Sequence, residues 1–133
     1  MGYSRTNTGS PSKSELTVET RDVGDVVLVY PQGFINAHTV RVFESAIQKS
    51  ISLKRFKIVV NCEELAYIAS AGLGAIMGSI EEIRSNGGDL RLASLNETVQ
   101  NIFEILGFNH LYRTYASEAE AIASFGPAQG AGA

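Results

Sequence analysis

Few side chains in this chain of 133 residues are of a kind that does chemistry, and their spacing narrows them quickly. His38 and His110 are the only histidines and stand far apart; a lone loop histidine is more often solvated or capping than catalytic. Cys62, the single cysteine, lies in an apolar run, where cysteine acts as a small core residue and has no partner for a disulfide or a metal cage. The acidic pairs Glu63-Glu64 and Glu81-Glu82 read as solvated turns and faces, not as acid-base machinery. Gly72-Leu73-Gly74 lacks the Lys-Ser/Thr ending of a nucleotide-binding P-loop. With no nucleophile-base pair and no ligand set for a metal or cofactor in view, enzymatic activity is not expected.

Ser70 is different. It precedes a helical pattern, where a serine is by default an N-cap whose oxygen accepts a backbone N–H that lacks a partner. The same geometry suits phosphate, because first-turn N–H groups and the positive end of the helix dipole stabilise an anion. Ala71, Gly72, Gly74 and Ala75 leave the neighbouring backbone nearly bare. Glycine inside a helix costs about 1 kcal/mol relative to alanine, so Gly74 and Gly78 need a reason. Close packing within the fold and close approach by a partner both supply one.

The elements that must hold Ser70 follow from periodicity. Leu16-Thr17-Val18-Glu19-Thr20-Arg21 alternates as a half-buried strand, Gly24-Asp25 makes a turn, and Val26-Val27-Leu28-Val29-Tyr30 reads as a strand buried on both faces. Val40, Phe43 and Ile47 predict a helix over 39–50 with Asn36 or Thr39 as cap. Residues 57–62 read as an interior strand. Leu73, Ile76, Met77, Ile80 and Ile83 predict one face of a helix that opens after Ser70 and stops at Asn86-Gly87-Gly88. Leu90-Arg91-Leu92-Ala93 gives another strand, Ser94-x-x-Glu97 a capping box before Val99, Ile102 and Phe103, and Ser117-x-x-Glu120 a second one after a short strand at 113–115.

A hairpin followed by alternating helices and strands implies one sheet, mainly parallel, with flanking helices. Sites in such sheets form where loops leave the carboxyl ends of strands. Here those loops are predicted at 34–38, 63–70 and 94–96, on one side of the molecule.

Totals agree with a single domain. The composition is 44% hydrophobic and 19% charged, and no apolar run approaches the length of a membrane span. The first residues lack a secretory pattern, so a cytoplasmic location without membrane insertion is expected. A net charge of -3 gives no reason for direct nucleic-acid binding. Residues 1–14 and 126–133 are expected to be loose tails around a domain at 15–125.

From Val59 to Gly74 the chain reads Val-Val-Asn-Cys-Glu-Glu-Leu-Ala-Tyr-Ile-Ala-Ser-Ala-Gly-Leu-Gly, which resembles the central motif of STAS domains, especially those of bacterial anti-sigma-factor antagonists. Residues 33–39 resemble that family's loop after the second strand, Gly87-Gly88 its glycine turn, and Ile105-Leu106-Gly107-Phe108 the end of its third helix. The resemblance covers residues 15–125. It implies an α/β fold with a sheet of about four to five strands, an N-terminal hairpin and about four helices.

It also implies a partner switch. Unphosphorylated, such an antagonist binds an anti-sigma serine kinase and frees a sigma factor, so its control of transcription is indirect. Phosphorylation by the kinase breaks the complex and a PP2C-type phosphatase restores it. The family's acceptor serine, two positions before the Gly-Leu pair, falls on Ser70. The implied partner surface comprises Asn36, His38, Ala69, Ser70, Ala71, Gly72, Leu73, Gly74 and Ser94. A charge of about -2 in a desolvated interface is costly unless paired, which agrees with such a switch. The chain departs from the pattern at two places: Ala69 stands where antagonists usually carry Asp, and Asn36 where they often carry another. Other roles for the same domain are a STAS subunit of a membrane transporter or lipid-transport ATPase, and a scaffold in a stress-signalling assembly.

Overall fold

The computed structural model describes residues 15–110 and 112–126; of the two expected tails, only Gly126 falls within them. Strands β1 (Leu16–Val23) and β2 (Val26–Ile35) form the expected antiparallel hairpin. Of its two turn residues only Gly24 has positive φ, 60°, the pattern of a type II′ turn, which suits right-twisted strands.

Strand β2 continues past Tyr30 through Pro31, in a central position where proline is normally excluded. The topology explains the exception. Strand β3 (Lys57–Asn61) pairs with β2 only as far as Val29, and β4 (Leu65–Ile68) pairs with it from Gly33 onward. Pro31 lies between the two ladders, and opposite Val18 it occupies a non-bonded position of the β1 ladder. Its missing N–H therefore leaves no partner unsatisfied.

The sheet has six strands in the order β1-β2-β3-β5-β6, with β5 at Asp89–Ala93, β6 at Thr114–Tyr115, and β4 beside β2. All pairs except the hairpin are parallel. The segment 63–70, expected to be a loop, contains β4. A four-residue strand with two exposed central residues carries too short an alternation to stand out.

Helices α1 (Val40–Ser52), α2 (Ser70–Ser85) and α3 (Glu97–Ile105) cover one face of the sheet. Phe43, Ile47, Leu73, Ile76, Ile83, Val99 and Phe103 pack there on Val27, Val29, Ile58, Val60, Leu90 and Leu92. Each such burial contributes about 1.5–3 kcal/mol of transfer free energy. Helix α4 (Glu118–Ala123) covers the other face, setting Ala121 among Val26, Leu28, Val59 and Ala93.

The buried stripe of α2 differs from the expected one. It runs through Gly72, Leu73, Ala75, Ile76, Ser79 and Ile83, and Met77 is 49% exposed. Three small residues occupy the stripe, so a pattern of large apolar residues misplaces its edge.

Candidate functional site

The carboxyl ends of β2 and β4 lie side by side, Ile35 against Ile68. The two chains leaving them are tied together where they part, Ala69 N–H donating to the Ile35 carbonyl at 2.8 Å. Asn36 and Ser70, one residue beyond each strand end or cap, are thereby brought to the same rim.

Ser70 is the first residue of α2, and the N-cap is Ala69, not Ser70 as the default sequence reading had it. Ala69 has the extended conformation of a cap, φ -88° and ψ 170°, but no side chain to serve as one. The first helix-closing donors, Gly72 N–H and Leu73 N–H, both reach the Ala69 carbonyl. Among the described residues, the N–H groups of Ser70 and Ala71 have no acceptor and the Ser70 hydroxyl has no partner. Ser70 is exposed, and the first turn of α2 contains no acidic residue. The exposed hydroxyl, free donors and helix dipole together favour negative charge at this point.

The floor under Ser70 is rigid. A Cβ at Gly72 would come within 2.5 Å of Ile35 Cγ2 and 2.8 Å of Ile68 Cγ1, both side chains being fully buried. Glycine here is a packing requirement. Gly74 and Gly78 are the reverse: a Cβ at either would meet nothing within 4 Å, which removes close packing as their explanation.

Asn36 organises the facing loop. Its Oδ1 accepts from His38 N–H at 2.9 Å and Thr39 N–H at 3.2 Å. Thr39 Oγ1 in turn accepts from Asn36 N–H at 2.9 Å and donates to the Phe34 carbonyl at 2.7 Å. Thr39 holds the N-cap position of α1 without a side-chain capping bond. His38 is exposed at the tip.

Among the described residues no hydrogen bond links Ser94 to this group. Its backbone is at φ 58° and its N–H donates to the Tyr115 carbonyl at 3.0 Å, toward β6. Nor does it cap α3. That role falls to Asn96, whose Oδ1 accepts from Val99 N–H at 3.0 Å, because a left-handed residue cannot supply the extended cap conformation. The Asn96 amide also donates to the Cys62 and Leu65 carbonyls, at 3.2 and 2.7 Å, stapling the turn that leads into β4. Sequence reading missed Asn96 in this role, although an asparagine just before a helix is itself a cap signal.

Cys62 is fully enclosed, and burial pushes its thiol up to about 12, which makes it an inert core residue as expected. Three residues before Ser70, Tyr67 pairs with Phe34, ring centroids 6.5 Å apart, and is 43% exposed.

Residues 17–121 match the STAS domain family. A protein of Bordetella bronchiseptica, BtrV, provisionally named an anti-sigma factor antagonist, is 29% identical over 94 residues, spanning 71% of this chain and 81% of its own. The anti-sigma F factor antagonist of Paenibacillus polymyxa is 24% identical over 108 residues, 80% of this chain and 92% of its own. SpoIIAA, an anti-sigma factor antagonist, shares the fold in its unphosphorylated form, with a TM-score of 0.68 at 24% identity covering 83% of this chain and 95% of that one. The same Bacillus protein in its phosphorylated form gives 0.62 at 23% identity, covering 83% and 98%.

Proposed function

The chain belongs to the STAS domain family, and from that premise we propose that it is an anti-sigma factor antagonist switched by phosphorylation of Ser70. The observation that carries this reading is the start of α2: an exposed serine hydroxyl without a partner, beside two backbone N–H groups without acceptors. A transferred phosphoryl group would add about -1.5 to -2 charges there. The N–H groups and helix dipole would accept that charge without a rearrangement of the core. Relatives named anti-sigma factor antagonists support an anti-sigma factor as the class of partner; in this proposal that partner is a serine kinase, and a PP2C-type phosphatase reverses the step. That SpoIIAA has a phosphorylated form supports the chemistry.

The partner surface in this proposal is the rim of Asn36, His38 and residues 69–74, with the open backbone at Gly74 admitting close approach. Ser94, at the end of β5, is the member whose backbone is tied to β6. Ala69 and Asn36 leave the rim uncharged, so the charge on phosphoserine would meet no neighbouring carboxylate in the first turn.

The test is incubation of the chain with its cognate kinase and ATP, followed by intact-mass measurement and site mapping. One phosphate on Ser70, none on Ser70→Ala, and at least a tenfold loss of kinase affinity for Ser70→Asp are expected. Phosphate at another residue, or an undiminished complex with Ser70→Asp, overturns the reading.

A further inference from the structure

Strand β1 is the outermost strand of the sheet, and the hydrogen-bond pattern of the hairpin fixes what its free edge presents. Phe34 N–H donates to the Glu15 carbonyl at 3.1 Å, so 15 and 34 are a bonded pair. By alternation 17, 19, 21 and 23 also bond inward to β2. The N–H and C=O groups of Leu16, Val18, Thr20 and Asp22 therefore point outward, where among the described residues no strand pairs with them. The edge is eight residues long with an unbroken register. It carries no proline, lysine or bulge, and its charges, Glu19, Arg21 and Asp22, are of both signs, so they blunt the edge against most strands while leaving it open to one of matching charge.

The side chains specify what fits. Leu16 and Val18 pack toward the main core, so Glu19 and Arg21 project from the opposite face. Arg21 lies 5.9 Å from the Tyr30 ring centre on that face, and both charged residues are exposed. We propose that β1 pairs antiparallel with β1 of a second copy about a two-fold axis through Thr20, joining the two sheets into one. Thr20 then faces its own counterpart as a bonded pair, and Val18 faces Asp22 across the axis in two more. Glu19 of each copy stands opposite Arg21 of the other in non-bonded pairs, the positions where side chains approach most closely. The arrangement is self-complementary, as a two-fold interface requires.

Shifting the axis by one residue destroys this match. Centred on Glu19 the strands oppose glutamate to glutamate, and centred on Arg21 they oppose arginine to arginine; both are destabilising. An axis through Val18 would set Arg21 against Glu15, which precedes the strand, and leave Glu19 opposite Thr17. Only the Thr20 axis makes Glu19 and Arg21 mutual partners. One strand edge buries less than the ~1,600 Å² of a standard interface, so association is expected between the micromolar and millimolar ranges.

Sedimentation velocity of the full chain from about 10 μM to about 1 mM tests this. A monomer–dimer equilibrium is expected, with association weakened about tenfold or more by Glu19→Arg and restored by the charge swap Glu19→Arg with Arg21→Glu. Both residues are exposed, so neither change threatens the fold. Thr20→Cys is expected to form a disulfide-linked dimer faster than Thr17→Cys, because a bonded antiparallel pair sets its Cα atoms about 5.5 Å apart, within disulfide reach. A monomer throughout, with equal cross-linking at both cysteines, overturns the proposal. A dimer indifferent to Glu19→Arg overturns the Thr20 axis and points to Glu15 or to another surface. None of these outcomes bears on Ser70.

Discussion

Helix α2 is finished at one end and open at the other. At its carboxyl end Gly87 takes φ 85°, its N–H donates to the Arg84 carbonyl at 3.0 Å, and Gly88 N–H donates to the Ile83 carbonyl at 3.1 Å. This is a complete Schellman motif. Just beyond it the Asp89 carboxylate is gripped by Arg84 Nε at 2.9 Å, Arg91 Nε at 3.0 Å and the Leu90 N–H at 2.9 Å. At the amino end the cap residue is alanine, and a hydroxyl and two N–H groups stand unclaimed. Of the other three starts, α3 at Asn96 and α4 at Ser117 each carry a side-chain cap, and α1 at Thr39 has no side-chain capping bond. Among the described residues, helix α2 alone of the four has a cap residue with no polar side chain, and its stability is drawn from the closing end.

The largest effect that would sharpen this contrast is expected from Gly88→Ala. The new Cβ would collide with the Phe56 carbonyl, which accepts the Asp89 N–H at 2.9 Å. A backbone atom in a ladder cannot step aside as a side-chain end can. The loss is expected to be about 3 kcal/mol or more, read from the midpoint of urea unfolding. An unchanged midpoint would show that the closing end is not the rigid one.

Next comes Asp89→Asn, expected to cost about 2–3 kcal/mol because it leaves the largely buried Arg91 without its anion, while the half-exposed Arg84 contributes little. Burial alone would raise the Asp89 carboxyl. The hydrogen bonds from Arg84 and Arg91, the Arg84 charge and the Leu90 N–H outweigh it and hold the carboxyl below its usual range. Its stabilising contribution is therefore complete above the unfolded carboxyl pKa of about 3.9 and lost as pH falls through the lower folded value. Urea midpoints measured from about pH 5 down to about pH 2 should fall less steeply in Asp89→Asn than in the parent chain. Equal slopes would remove Asp89 from the account.

The smallest of the three is a gain. Ala69→Asp supplies the absent cap to backbone already in cap geometry and is expected to stabilise by about 1 kcal/mol. A rise of a few degrees in Tm would check it. A loss of stability would mean that the open end is closed to a side chain for a steric reason.

Much of this was legible in the sequence. The hairpin, the extent of α2, its glycine stop and the family motif all rest on strong local signals, periodicity and turn chemistry, that tertiary contacts reinforce. What was hidden has one common cause: positions decided by neighbours distant in sequence. Strand β4 exists because β2 offers it an edge beyond Pro31. Met77 turned outward because Gly72, Ala75 and Ser79 fill the buried stripe. Ser94 lost its expected cap to Asn96 once its backbone took a left-handed turn. Of the site, the serine and its bare surroundings could be read directly, but the fact that Ala69 and not Ser70 caps the helix could not.

The wedge of Gly72 between Ile35 and Ile68 has a consequence for signalling. The backbone carrying Ser70 is fixed to two interior side chains and to the end of the central strand, so it has little freedom to transmit a displacement. A covalent mark on that hydroxyl would be legible only to something that comes to the surface and senses its charge. Such a message would be written on the outside of the molecule.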